Sequence, residues 1–204
     1  MKVMFVIGIT GNFGTGKTTV SNMLAELGAV TINADEMGHE VLQPDTQVYK
    51  EVLAAFGKSI LSPKGEIDRS KLGKLVFDDN IALARLNQIT HPRIREIVRQ
   101  KIEEYRQAGA SVVVLEAALL VEAKWIPLAD QLWVTIAPEA TIVKRLRSSR
   151  GLSEEQIVTR FRTQMPQEEK ARQADVVIDT DCSMDELRAR VTELWHRLPV
   201  GTEH

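Results

Sequence analysis

The chain has 204 residues, 44% of them hydrophobic, and a formal net charge of −2 at pH 7. That length buries one full α/β core with an inserted subdomain, and the near-neutral balance argues against a general nucleic-acid binder, which carries a strongly basic face. The lone cysteine, Cys182, excludes an intrachain disulfide and fits a reducing cytoplasm; beside Asp181 in a polar turn, it reads as a surface thiol.

The run Met4-Phe5-Val6-Ile7-Gly8-Ile9 is short, apolar and β-branched, as a buried parallel strand requires. It is far shorter than the ~20 residues of a membrane span, and it leads straight into the next motif, which is not the pattern of a signal peptide. That motif, Gly11-Asn12-Phe13-Gly14-Thr15-Gly16-Lys17-Thr18, fits G-x-x-x-x-G-K-[ST] without a mismatch. Val20, Met23, Leu24 and Leu27 then fall at i, i+3, i+4 and i+7, one face of a helix. Strand, glycine-rich turn and helix occur in the required order. Glycines let the loop curl so that successive N–H groups face an anion, and the helix aims its positive end at the same place. Residues Gly11, Asn12, Phe13, Gly14, Thr15, Gly16, Lys17, Thr18 and Thr19 are therefore the candidate contacts of a nucleoside triphosphate. Lys17 is expected at the β- and γ-phosphates and the Thr18 hydroxyl on Mg²⁺.

After the turn at Gly28, Ala29-Val30-Thr31-Ile32-Asn33 reads as a second strand ending in Asn33-Ala34-Asp35. A carboxylate at the carboxyl end of a parallel strand lies where such sheets bind ligands. Asp35 is thus a candidate proton acceptor for a hydroxyl nucleophile, or a metal-holding group; the plainer reading is a helix N-cap before Glu36. From about residue 41 to 110 the pattern is helical, carried by Val48, Val52, Leu53 and Phe56, then Leu72, Leu75 and Val76, then Ile94, Ile97, Val98 and Ile102, with a turn at Ser62-Pro63-Lys64-Gly65. A helical block between the second and third strands is the simplest place for a substrate-binding subdomain. Pro92 disfavours helix at His91 and suits the first position of a following helix, so His91 reads as a cap or a ligand contact.

Ser111-Val112-Val113-Val114-Leu115 is the third strand and is apolar enough to be central. It ends in Glu116, placed to orient a Mg²⁺ shell. Leu132-Trp133-Val134-Thr135-Ile136 is the fourth strand, with Pro138 opening a helix; Val176-Val177-Ile178-Asp179 is the fifth. Leu187, Val191, Leu194, Trp195 and Leu198 form a closing amphipathic helix. Strands separated by helices in this way predict an α/β fold with a doubly wound, five-stranded parallel sheet of the P-loop NTPase kind. Its expected core is 1–40, 111–145 and 166–204, with a helical insertion at about 41–110 and a helical lid at about 146–165.

Between the fourth and fifth strands, Lys144, Arg145, Arg147, Arg150, Arg160 and Arg162 place six cations within nineteen residues, around Gly151 and the capping-box-like Ser153-Glu154-Glu155-Gln156. Phosphoryl transfer needs positive charge at the γ-phosphate and water kept out, often by a closing lid. A solvated helix face accounts for Lys144 and Arg162; Arg145 and Arg150 are the candidates for a catalytic role.

At this point the chain resembles the bacterial dephospho-coenzyme A kinase family, relatives of the nucleoside monophosphate kinases. The resemblance runs through Gly8–Thr19, Ala34-Asp35, Gly65-Glu66-Ile67-Asp68-Arg69, Thr90-His91-Pro92, Leu119-Leu120-Val121-Glu122, Gln164-Met165-Pro166 with Lys170, and Ala174-Asp175-Val176-Val177-Ile178-Asp179. It implies transfer of the ATP γ-phosphate to the ribose 3′-hydroxyl of dephospho-coenzyme A. It also implies a carboxylate base at Asp35, ATP and Mg²⁺ contacts at Lys17 and Thr18, and coenzyme A contacts through Arg69, His91 and Glu122. No nucleic-acid or membrane partner is implied, and a monomer or weak homo-oligomer in the cytoplasm is expected.

Four positions depart from the family pattern. Asn33 stands for the first aspartate of Asp-Ala-Asp, His39 for an arginine, Ala118 for the proline before Leu-Leu, and Ser149 for a lid arginine, with Arg150 next to it. A nucleoside monophosphate kinase would share sheet, loop and lid, and only the insertion separates it. A GTP-dependent switch protein is the rival from another class, since Asp35-Glu36-Met37-Gly38 imitates its D-x-x-G element, but no N-K-x-D segment occurs in the chain.

Overall fold

The sheet consists of β1 (Phe5–Gly11), β2 (Val30–Asn33), β3 (Val112–Glu116), β4 (Gln131–Ile136) and β5 (Val176–Asp179), in the order β2-β3-β1-β4-β5 with every pairing parallel. This computed structural model describes residues 4–77, 79–162 and 164–200, without the side chains of Phe77, Arg150, Glu155, Val158, Arg160 and Arg162. All five residues of β3 are buried, which explains its run of unbroken aliphatics. β1 lies at the middle of the sheet, where the strand order changes direction. The chain leaving its carboxyl end is the glycine-rich loop, so the loop occupies the position at which open α/β sheets bind their ligands.

Helix α1 (Lys17–Glu26) packs on one face of the sheet together with α9 (Met184–His196). Ile7 and Ile9, like Val112 and Val114, are two apart on their strands and so face the same side. They meet Val20, Met23 and Leu24 from α1 and Leu187 and Val191 from α9, with Trp133 and Ile178 completing the cluster. Each such side chain stabilises the fold by roughly 1.5–3 kcal/mol on full burial. Helix α9 is started by Ser183, whose hydroxyl accepts from the Glu186 N–H while the Glu186 carboxylate takes the Ser183 N–H.

Aspartates fasten the amino ends of two strands. Val6 N–H donates to Asp130 Oδ2 at 2.7 Å, and Leu132 N–H donates to Asp175 Oδ2 at 2.7 Å. The Ala-Asp-x-x-Ile-Asp stretch therefore has a structural use: Asp175 fastens the amino end of β4, and Asp179 Oδ1 accepts from Asp181 N–H in the turn beyond β5. Cys182 lies in that turn, half-buried, with its thiol 3.8 Å from the Asp179 carbonyl.

The chain divides into two compact units, Met1–Asn33 with Lys101–His204, and Ala34–Gln100. The second holds α2 (Ala34–Glu40), α3 (Gln47–Phe56), α4 (Arg69–Phe77) and most of α5 (Asn80–Gln107). Thr46 caps α3 by accepting from Tyr49 N–H, and the turn predicted at Ser62–Gly65 closes through Gly65 N–H on Ser62 O, below a bridge between Leu61 and Ile67.

Two expectations about this stretch are corrected. Helix α5 runs unbroken for 28 residues with Pro92 inside it, so Pro92 does not open a helix and His91 is not a cap. The proline costs the helix one backbone bond, and the burial of Ala82, Ile94, Val98 and Ile102 along the same helix opposes a break. Asp35 is not an N-cap either. Helix α2 starts at Ala34, which places Asp35 in its first turn, where a carboxylate is favoured by the helix dipole.

Helices α6 (Glu139–Arg150) and α7 (Glu154–Arg162) follow β4, and the short α8 (Gln167–Ala171) leads to β5. The capping box read at Ser153 is formed: Ser153 N–H donates to Gln156 Oε1 at 3.0 Å, and Gln156 N–H to Ser153 Oγ at 3.3 Å. Ala137, Ile142, Leu146 and Ile157 make a small core of their own, against which Phe13 of the loop is packed.

Candidate functional site

The loop between β1 and α1 has its shape enforced from both sides. Gly14 has φ 85°, and a Cβ there would lie 2.6 Å from Ile142 Cγ2, so neither the backbone nor the space admits another residue. A Cβ on Gly11 would meet Thr135 Oγ1 at 2.3 Å. The carbonyls of Asn12 and Thr15 are engaged. Asn12 O accepts from Thr15 N–H at 3.2 Å and from Thr15 Oγ1 at 2.8 Å, and Thr15 O accepts from Thr180 Oγ1 at 2.9 Å. Thr15 O is thus tied to the end of β5 and Asn12 O to Thr15 within the loop itself, which fixes the curl that a phosphate cradle needs.

Lys17 is buried, and its ammonium donates to Gly11 O at 3.1 Å and Asn12 O at 3.3 Å, folded along the loop it follows. Thr18 Oγ1 donates to Glu116 Oε1 at 2.6 Å. This short bond to a carboxylate joins the first turn of α1 to the carboxyl end of β3 and brings together the two residues expected at a metal. Asn33 at the end of β2 stands in register with Glu116. An aspartate there would put a second carboxylate beside the buried first one; asparagine leaves Glu116 as the acid at this edge. Among the described residues no group of three His, Cys, Asp or Glu is placed to hold a metal. That donor set, one hydroxyl and one carboxylate, suits Mg²⁺, which keeps most of its waters and takes the rest of its shell from substrate phosphates.

The chain after α7 is clasped to the loop. Phe13 N–H donates to Gln164 Oε1 at 2.8 Å, and Asn12 Nδ2 donates to Met165 O at 3.2 Å. Met165 N–H donates in turn to Glu122 Oε1 at 3.1 Å, and the same oxygen pairs with the fully buried Lys170 at 2.9 Å. Lys170 also donates to Ala118 O at 2.8 Å. Arg145 on α6 grips Thr180: Nη1 donates to its Oγ1 at 3.0 Å and Nη2 to its carbonyl at 2.6 Å.

The family model described as dephospho-CoA kinase matches residues 5–186. The chain belongs to the dephospho-CoA kinase family. The dephospho-CoA kinase of Carboxydothermus hydrogenoformans is 44% identical over 197 residues, covering 97% of this chain and 96% of the relative. Among solved structures, the protein TT1252 from Thermus thermophilus superposes with a TM-score of 0.79 at 31% identity, covering 97% of this chain and all of that one. The dephospho-CoA kinase from Campylobacter jejuni gives a TM-score of 0.68 at 26% identity, covering 94% and 95%. Membership of the dephospho-CoA kinase family settles the fold as that of a P-loop kinase, as expected, and with it the use of ATP.

The loop residues Gly11–Thr18, together with Glu116, Arg145 and Glu122, lie in the first compact unit; Asp35, Arg69 and His91 lie in the second. Asp35 is exposed on α2. Arg69 opens α4, and its Nη1 is 3.1 Å from His39 Nδ1. Burial first, then the nearby Arg69 guanidinium, lowers the His39 pKa, while Glu36 and Asp35 pull it upward. Because Arg69 Nη1 can only donate, Nδ1 is the acceptor of this contact, and the proton of the neutral ring belongs on Nε2. His91 sits half-buried in the middle of α5. The side chain of Arg150, the second lid candidate, lies outside the described residues, as do those of Arg160 and Arg162. Sequence reading gave no role to Gln164 or Thr180. Gln164 was visible only as part of a motif; Thr180, directly after the last strand, had only its place at the ligand-binding end of the sheet to mark it.

Proposed function

We propose that this chain transfers the γ-phosphate of ATP to the ribose 3′-hydroxyl of dephospho-coenzyme A, giving coenzyme A and ADP, the final step of coenzyme A biosynthesis. The family match across residues 5–186 carries the reading, and the Thr18–Glu116 pair at the mouth of the preformed loop supports its chemistry. Backbone amides of Gly14, Gly16, Lys17 and Thr18, with Thr19 behind them, cradle the phosphates, and Lys17 turns from Gly11 O and Asn12 O onto the β- and γ-oxygens. Thr18 and Glu116 would hold Mg²⁺, which would supply positive charge against the phosphates.

Asp35 receives the proton as the 3′-oxygen bonds to phosphorus and the β–γ bridging oxygen departs with ADP. Because the transition state is loose, Asp35 orients the hydroxyl as much as it deprotonates it. Arg69 and His91 are assigned to the coenzyme A side, within a helical insertion at about 41–110, and Arg145 and Arg150 to the nucleotide side, at a lid at about 146–165. Among the described residues no helix is long and apolar enough to cross a membrane, and we assign the enzyme to the cytoplasm, as a monomer or weak homo-oligomer.

A coupled ADP-release assay comparing dephospho-coenzyme A with AMP, CMP and shikimate tests the reading. Robust turnover is expected with dephospho-coenzyme A alone. Equal or faster turnover with a nucleoside monophosphate would overturn it.

A further inference from the structure

Thr180 is buried at the carboxyl end of β5, and its one hydroxyl works in two directions. It donates to Thr15 O in the phosphate loop at 2.9 Å, the shorter of two carbonyl contacts, the other being Ile136 O at 3.2 Å. It accepts from Arg145 Nη1 at 3.0 Å, while the second arm of the same guanidinium reaches the Thr180 carbonyl at 2.6 Å. The backbone of Thr180 is itself fixed, because its N–H donates to Ile136 O at 2.9 Å as a continuation of the β4–β5 ladder.

A planar guanidinium held at two points loses most of its rotational freedom before any ligand arrives. The anchoring residue also touches the phosphate loop, so the position of the arginine follows the position of Thr15. Gly16 adds to the linkage: a Cβ at that position would lie 3.4 Å from Thr180 Cγ2, so loop and threonine are in close apposition. Valine has nearly the same shape and would keep the methyl contact but could neither donate to the loop nor accept from the arginine.

We infer that Thr180 is a positioning residue of the ATP site, setting Arg145 against the phosphate loop through a hydroxyl shared between them. The inference rests on the assignment of Arg145 to the nucleotide side. It predicts an effect confined to the nucleotide. Losing one hydrogen bond to a charged group, with the second arm of the fork retained, raises KM for ATP about tenfold in Thr180→Val. KM for dephospho-coenzyme A stays within about twofold, because no group on that side changes. Thr180→Ser, which restores the hydroxyl, returns KM for ATP toward the parent value. Arg145→Ala raises KM for ATP as well, and the double variant Thr180→Val/Arg145→Ala is no worse than Arg145→Ala alone, since the threonine acts through the arginine.

The experiment is steady-state kinetics in both substrates on the full chain for these four variants, with urea midpoints measured alongside. Thr180→Ala serves as a second hydroxyl-free protein should the valine variant fold poorly. An unchanged KM for ATP in the hydroxyl-free variants overturns the inference, as does an equal loss for both substrates, which marks a merely structural residue. Additive effects in the double variant overturn it too. If Arg145→Ala leaves KM for ATP unchanged, the assignment of Arg145 to the nucleotide side fails and the inference falls with it, whatever Thr180→Val does.

Discussion

Glu122 was expected at the substrate, yet its bonds describe a brace, and one substitution separates the two. Its Oε1 pairs with Lys170 at 2.9 Å and accepts from Met165 N–H at 3.1 Å, while Lys170 is wholly buried. Glu122→Leu strips a buried ammonium of this carboxylate and leaves a main-chain N–H without its acceptor. Breaking a buried pair by removing one partner costs about 3–5 kcal/mol. The Glu122 side chain retains 22% exposure, which lets water reach the gap, so the lower figure applies. About 3 kcal/mol in a chain of this size lowers the melting temperature by about 6–12 °C. The double variant Glu122→Leu/Lys170→Met should recover at least half of the loss, because no charge is then left in the interior. Calorimetry on the parent and both variants measures this, with KM for dephospho-coenzyme A determined beside it. A melting temperature within about 2 °C of the parent, together with a KM raised more than tenfold, would refute the brace and make Glu122 a substrate contact.

Three other substitutions probe the chemistry. Lys17→Ala leaves the backbone cradle but removes the charge aimed at the β- and γ-phosphates, so turnover should fall by roughly 10²–10³-fold; near-parental turnover would show that the loop is not used as argued. Asp35→Asn should slow single-turnover phosphorylation by about 10²–10⁴-fold at saturating Mg·ATP, with ATP binding little changed, whereas Asn33→Asp, beside Glu116, should alter the rate only modestly. A nearly parental rate in Asp35→Asn would rule out the base. His39 titrates in the folded chain below its ordinary 6.5, for the burial and Arg69 reasons given above. The unfolded chain therefore takes up this proton first as pH falls, so His39 contributes stability above about 6.5 that is lost as pH drops through the folded value. Urea midpoints at several pH values should show that limb flattened in His39→Gln; identical slopes in both proteins would refute it.

What the sequence disclosed and what it concealed differ in physical kind. The β-branched run at Val112–Leu115 and the i, i+3, i+4 stripe of Val20, Met23 and Leu24 are local patterns imposed by burial, and each element formed where its pattern lay. The phosphate loop was legible because its glycines answer to backbone geometry that few other sequences satisfy. Pro92 misled because the rule for the residue before proline is a local preference, and the burial along α5 outweighs it. The contacts of Thr180 and Gln164 and the pairing of Lys170 with Glu122 could not be read from the sequence. Their partners lie 165, 151 and 48 positions away in the chain, and no spacing rule links a strand-end hydroxyl to a loop carbonyl.

The place of β1 at the middle of the sheet carries a cost during synthesis. Its neighbours are β3 and β4, and Val6 at its start bonds to Asp130, 124 residues further on. A ribosome adding about 5–20 residues per second needs about 6–25 s to deliver that partner. Until β3 follows, the first strand to emerge is an apolar segment with both edges bare, a template for pairing with another nascent chain. The helical residues made in between, Ala34–Gln100, form a compact unit of their own. Folding as they leave the tunnel, they would shorten the span over which β1 must find its neighbours.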